Sequence, residues 1–414
     1  MKLKSLLKTS IMSAGISVIA AGASFITNII VARFYGLEDY AYFSYVISLT
    51  SITSMISTLG LNQYLLLNLP GKNASIKSSI QQKACSTFYV SNILISIVLL
   101  CFLLSNGSSI NESLFICMIS ILSSCFIFRQ GVYFSEEKII LSQLIDRVVR
   151  ALFLIMLLIS FKLFSIEESS FIVSLSIILS YLCASVIYLF LIKDVRVFYF
   201  NSSGLMEASE VKSSLMLCAV VISTTLLSNF DIIFLGFVKN SFDLSVYASS
   251  QKISLMGAIF LLSITNVVTP SLVKGKDKDL KSSLMHATSI GFFASLLFFV
   301  FVLIFGEFVL SIFGNEFKAG YNTLVILALS QLVSSFFGQS LTMMKVKGEI
   351  KTLSIFILIA LLFKASLISY FYQMWGINGV AMSTLISVFV WNYLCFRYLN
   401  KNYSLDTSLR NIFR

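Results

Sequence analysis

Charge is scarce in this chain. Asp, Glu, Lys and Arg make up 12% of its 414 residues, against 57% hydrophobic. A water-soluble fold cannot bury so much apolar surface, so that class is excluded. Histidine is represented only by His286, and the seven cysteines (Cys85, Cys101, Cys117, Cys125, Cys183, Cys218, Cys395) show no CxxC spacing. Neither a metal site nor a disulfide framework is indicated, and the cysteines read as soft apolar fillers within helices. No Walker lysine motif occurs. Long polar segments are missing too: the longest loops, about Lys193–Lys212 and Gly306–Gly320, are too short for a folded catalytic domain. The chain is therefore expected not to be an enzyme and to need no cofactor.

What is present is length of apolar sequence. Twelve stretches run about Ser10–Ala32, Tyr40–Leu67, Ala84–Leu104, Leu114–Phe134, Ile145–Phe164, Phe171–Ile192, Ser213–Val238, Val246–Thr269, Leu284–Phe305, Thr323–Met343, Leu353–Phe371 and Ile377–Phe396. A helix of roughly 20 residues crosses a hydrocarbon layer about 30 Å thick, so each stretch is a candidate span. The expected fold class is an all-α integral membrane protein with 12 transmembrane helices. The first stretch follows Lys2, Lys4 and Lys8 and contains Ala21-Gly22-Ala23, a small-residue pattern that resembles a leader cleavage site. Its apolar run continues unbroken to Ala32, so it reads as an uncleaved helix.

The net charge of +11 reflects placement. If alternate loops face opposite sides, one side collects Lys2, Lys4, Lys8, Lys72, Lys77, Lys83, Lys138, Arg147, Arg150, Lys193, Arg196, Lys212, the lysines of 274–281 and 345–351, and the basic residues of 397–414. The other has only Arg33, Lys162, Lys239 and Lys318. This is the positive-inside pattern, and it puts both termini in the cytoplasm. No nucleic-acid partner is needed to explain the charge.

The chain reads as two similar halves. The only prolines, Pro70 and Pro270, stand 200 positions apart, each expected to close a helix. At the same offset Phe34-Tyr35-Gly36 lies opposite Phe234-Leu235-Gly236. Six helices plus six, starting from the same side, make a parallel repeat about an axis along the membrane normal. The expectation is two pseudo-symmetric six-helix lobes around a central cavity: residues 1–192, a cytoplasmic linker 193–212, and 213–414 with a short cytoplasmic tail.

Charges within spans are costly and default to functional candidates. Arg33 ends the first helix, where it either serves the site or snorkels to the interface. Arg129 lies near Asp146, Arg147 and Arg150, a cluster suited to a diphosphate head or to lipid phosphates. Lys364 is mid-span, facing a cavity or a partner. Asp231 and Lys252 fall at one depth on adjacent helices, which suggests an ion pair with a structural, gating or proton-linked role. Asn28, Asn62, Gln63, Asn92, Asn229, Asn266, Gln331 and Gln339 could line a hydrated path or bond neighbouring helices.

The segment from Asn28 through Arg33, Gly36 and Asp39 to Tyr40 resembles the first-helix signature of polysaccharide exporters in the multidrug/oligosaccharidyl-lipid/polysaccharide superfamily. Asn229-Phe-Asp231-Ile-Ile-Phe-Leu-Gly236 with Tyr247-Ala-Ser-Ser-Gln-Lys252, Phe313-Gly-Asn-Glu-Phe317-Lys-Ala-Gly-Tyr321 and Gly376-Ile-Asn-Gly379-Val-Ala-Met-Ser-Thr384 are similar to later segments of that family. Twelve helices with short loops resemble its O-antigen repeat-unit (Wzx-type) flippases. The peptidoglycan-precursor flippases typically have fourteen helices and arginines in the first, whereas no charge lies here between Lys8 and Arg33. The resemblance implies an undecaprenyl-diphosphate-linked oligosaccharide carried from the cytoplasmic to the periplasmic leaflet of a bacterial inner membrane. Implied partners are that substrate, membrane lipids, and a glycan polymerase with chain-length machinery. A cation-coupled multidrug efflux transporter of the same superfamily and a glycan polymerase or ligase are the competing readings. Asp231 as the sole deep acid disfavours the first, and the short loops disfavour the second.

Overall fold

The computed structural model describes residues 2–136, 138–164, 170–192, 204–274 and 277–409, without the side chains of 2–11, 14, 192 and 259–283. Two compact units emerge, Met1–Thr225 and Leu226–Arg414. Helices account for nearly every described residue, as apolar sequence in hydrocarbon requires: only an intra-segment ladder satisfies each N–H and C=O without water.

The first unit contains α1 (Lys2–Phe34), α2 (Gly36–Ser57), α3 (Leu61–Asn68), α4 (Ala74–Ser105), α5 (Ile110–Ser135), α6 (Ile139–Gln143), α7 (Arg150–Leu163) and α8 (Ser170–Ile192). A π-helical turn, Leu144–Val149, joins α6 to α7. Helix α9 (Ala208–Val238) contains the boundary between the units. In the first unit α5 is the hub, packing on α2, α3, α4 and α8. The second continues with α10 (Ser241–Lys274), α11 (Asp277–Ser311), α12 (Tyr321–Phe336), α13 (Ser340–Val346) and α14 (Ile350–Tyr403), and a 3-10 turn, Asn315–Gly320, precedes α12.

Among the described residues eight helices are long and apolar enough to cross a membrane, or nine when the bent α2–α3 pair counts as one. All twelve stretches read from the sequence fall on helix, consistent with twelve spans, but several are interrupted. The second bends by 50° between α2 and α3, where Gly60 takes φ +75° and a Cβ would run into the Ser214 carbonyl and Cys218. The fifth contains the π turn, and the tenth breaks at Gly338 between α12 and α13. The last two are continuous in hydrogen bonding but kinked at Gly376, with φ 57° and ψ −138°. Helix α10 runs past Pro270 to Lys274, so that proline does not close its helix; in a membrane the carbonyl it strands can be re-satisfied locally.

Candidate functional site

Three helix faces in the first unit meet around the π turn. On α5 the spacing i, i+3, i+4, i+7 puts Phe126, Arg129, Gln130 and Tyr133 on one stripe. On α8 the spacing i, i+4, i+7 aligns Tyr181, Ser185 and Tyr188. Between them, Ser142, Asp146 and Arg150 follow α6, the π turn and α7. A π turn inserts a residue into the helical register, a device common at functional sites. Here it leaves Asp146 buried and Arg147 exposed.

The Asp146 carboxylate is held by neutral donors. Tyr188 Oη donates to Oδ1 at 2.6 Å, while Ser142 Oγ and Gln130 Nε2 reach Oδ2 at 3.4 and 3.5 Å. Among the described residues no arginine forms an ion pair with it. Arg150 Nε instead donates to the Asp146 backbone carbonyl at 3.0 Å, and its guanidinium lies 4.7 Å from the Tyr181 ring centroid. Arg129, 4% exposed, donates to Ser185 Oγ at 3.3 Å and lies 5.5 and 5.8 Å from the Phe126 and Tyr188 rings. Cation–π contacts of this kind stabilise by about 2 kcal/mol when desolvated. A pocket of about 170 Å³ opens against Ser123, Phe126, Ile127, Gln130, Asp146, Arg150 and Tyr181. The buried centre is net basic, two guanidinium groups against one carboxylate.

The second unit holds a tighter polar centre. Asp231 on α9 is fully buried, and its Oδ2 accepts from Lys364 Nζ at 2.9 Å, Tyr247 Oη at 2.6 Å and Thr384 Oγ1 at 2.8 Å. Lys364, 1% exposed, also donates to the Leu227 carbonyl at 2.9 Å, one turn before Asp231 on α9. Oδ1 of Asp231 accepts nothing among the described residues. The expected Asp231–Lys252 pair does not form: the partner is Lys364. On α10 the position facing Asp231 belongs to Tyr247, and Lys252, five residues on, is turned about 140° around the helix, half-buried elsewhere.

The remaining candidates are dispersed. Arg33 is exposed at the end of α1, and Arg147 reaches Ser17 Oγ at 3.2 Å, away from Arg150's pocket. Asn28 is buried: its amide donates to the Ser24 carbonyl at 2.7 Å, and its oxygen accepts from Tyr40 at 3.3 Å. Asn229 donates to its neighbour Ser228 at 3.2 Å. The buried oxygens of Asn62 and Asn92 have no partner among the described residues. Gln63 and Gln331 are half-buried, Gln339 accepts from Thr342, His286 is exposed, and the side chain of Asn266 lies outside the described residues. Gln130, Tyr181, Tyr188, Tyr247 and Thr384 were not legible as site residues, although the i, i+4, i+7 spacing of Tyr181 and Tyr188 is a signal that was available. No group of three metal-ligating side chains occurs among the described residues.

No curated protein sequence matches the chain. Among solved structures, an inward-facing multidrug-resistance MATE-family transporter is similar at 15% identity and TM-score 0.73, covering 95% of this chain and 98% of its own. The lipid II flippase MurJ in an inward closed conformation matches at 15% identity and TM-score 0.73, covering 97% and 91%. A transporter of the same MOP superfamily from Pyrococcus furiosus, described as having a binding pocket of reversed polarity, matches at 14% identity and TM-score 0.62, covering 96% of each chain. These likenesses show the fold. Residues 6–276 match the family described as polysaccharide biosynthesis protein, and the chain, a multi-pass membrane protein with the fold of the MATE transporters and MurJ, belongs to that family.

Proposed function

We propose that the chain is a flippase that moves undecaprenyl-diphosphate-linked oligosaccharide repeat units, of O-antigen or a similar surface glycan, from the cytoplasmic to the periplasmic leaflet of a bacterial inner membrane by alternating access. The observation that carries this reading is the sign of the buried charge. Asp231 is neutralised by Lys364 within the second unit, and the first unit's polar centre sets Arg129 and Arg150 against Asp146 alone. Such an interior suits an anionic substrate better than a cationic drug. A diphosphate with sugars cannot enter hydrocarbon unaided, because each stripped polar group costs several kcal/mol. Fixed donors lower that cost while the polyprenyl tail stays in lipid. Arg33, Arg147, Asn62 and Asn229 are carried forward as path residues, with the glycan polymerase and chain-length machinery as downstream partners.

Deleting the gene in its host should abolish the surface glycan and accumulate lipid-linked repeat units in the inner membrane, without raising sensitivity to cationic dyes. Normal glycan together with new dye sensitivity would make the chain an efflux transporter instead. The same reading places residues 1–192 and 213–414 as lobes with both termini in the cytoplasm. Reporter fusions after Asn106 and Asn240 should be periplasmic and one after Lys72 cytoplasmic, and a single reversed fusion breaks that scheme.

A further inference from the structure

The pocket on the first unit brings together groups that the packing of the helices does not itself require. Arg150 is fixed twice, by its Nε bond to the Asp146 carbonyl at 3.0 Å and by its seat 4.7 Å over the Tyr181 ring. Those contacts set the plane of the guanidinium and leave both terminal nitrogens, four N–H donors, without an acceptor among the described residues. In the same pocket stands Asp146, its oxygens aligned by Tyr188, Ser142 and Gln130. A pre-oriented guanidinium fork matches two oxygens of a phosphate far better than a point charge does. A bare anion, however, would meet the Asp146 carboxylate. A cation would meet the Arg150 guanidinium, and an apolar group would leave the fork unsatisfied. The combination suits a ligand that is anionic at one point and bears hydroxyl donors at the next.

We propose that this pocket, through Arg150 and Asp146, binds a glycosyl phosphate: the phosphate on the Arg150 fork, and a hydroxyl of the attached sugar donating to Asp146. This rests on the flippase reading and deepens it, because it assigns recognition of the phosphate–sugar junction of the lipid-linked substrate to one face of the first unit. Arg150 and Asp146 are then specificity residues, separating a glycosylated diphosphate from both a bare polyprenyl diphosphate and a neutral lipid. The same fork would accept a phospholipid headgroup, and the test separates the two.

The full chain, purified and placed in nanodiscs, is titrated with farnesyl-diphosphate-linked N-acetylglucosamine, with farnesyl diphosphate and with octyl glucoside, in phosphatidylcholine with and without phosphatidylglycerol. The wild type should prefer the glycosylated diphosphate, with octyl glucoside not binding. Arg150→Gln should weaken both diphosphates by about tenfold or more, as loss of charge-assisted hydrogen bonds implies. Arg150→Lys, which keeps the charge but not the fork, should recover only part of this. Asp146→Asn should erase the preference for the sugar while leaving farnesyl diphosphate bound. Equal affinity of Arg150→Gln and wild type would overturn the assignment. So would loss of probe binding in phosphatidylglycerol discs with no preference for the sugar, which would make the pocket a headgroup site. If deletion of the gene abolishes surface glycan yet Arg150→Gln binds normally, the pocket assignment fails and the flippase reading stands; normal glycan after deletion sinks the flippase reading itself.

Discussion

Lys364→Met and Asp231→Asn will each sharply lower the amount of protein in the membrane, and the double variant will recover much of it. The pair is fully buried, 1% and 0% exposed at the side chains, with 2.9 Å between Nζ and Oδ2. Breaking such a pair by removing one partner costs about 3–5 kcal/mol, because the survivor is a charge with no compensation in a low-dielectric site. Removing both leaves no charge stranded and is often nearly neutral. After Lys364→Met the carboxylate retains Tyr247 and Thr384, and after Asp231→Asn the ammonium retains the Leu227 carbonyl, so neither single variant is wholly unsupported. Membrane abundance of the three variants checks the structural part. Glycan export per molecule checks the rest: a double variant that is abundant but inactive assigns the pair to transport, and one that is abundant and active makes it a structural clamp. A double variant no more abundant than the worse single would contradict the compensation argument.

The second large effect is expected at the corner within α14. Gly376 adopts φ 57° and ψ −138°, open to glycine and strained for any residue with a Cβ. Three residues on, a Cβ at Gly379 would overlap the backbone carbonyl of Phe371. A clash with backbone cannot be relieved by a rotamer change, so the two arms of the corner would have to move apart. Gly379→Ala should therefore destabilise by about 1–3 kcal/mol or more, the usual range for overpacking, and Gly376→Ala by about 1–3 kcal/mol of backbone strain. The arms carry Lys364 and Thr384, both bonded to Asp231, so the damage should spread to that centre. Thermal unfolding in detergent, followed by size-exclusion chromatography, reads this directly: both variants should aggregate at lower temperature than wild type, and unchanged midpoints would show that the corner has slack.

The all-helical class and the positions of the apolar stretches were legible in the sequence because apolar length is a strong, local signal: all twelve stretches fall on helix. The interruptions were not: the stretches around Gly60 and Gly338 are long enough to read as single spans, and the π turn at Leu144–Val149 differs from an α-helix in hydrogen bonding and not in residue types. The site divides in the same way. Arg129, Asp146 and Arg150 were read together because they cluster at one depth, and they do meet around α5 and α8. Depth along adjacent helices pairs Asp231 with Lys252 but says nothing about azimuth, and Tyr247 occupies the face in question. Lys364, mid-span in the same unit, is the other candidate cation, and burial at low dielectric favours its meeting Asp231. Proximity in sequence groups Arg147 with Arg150, but the wider π turn sends it toward Ser17 on α1.

The proposed passage of a lipid-linked glycan across a bilayer is read out by flipping in reconstituted vesicles. Purified protein in liposomes holding a short-chain polyprenyl-diphosphate oligosaccharide is exposed to an impermeant glycan-cleaving enzyme, which reads the outer leaflet alone. Wild-type protein should bring the inner-leaflet substrate within reach of the enzyme, Arg150→Gln should slow this strongly, and protein-free vesicles should keep the inner pool protected. Wild-type vesicles whose inner pool stays as protected as that of protein-free ones would contradict it.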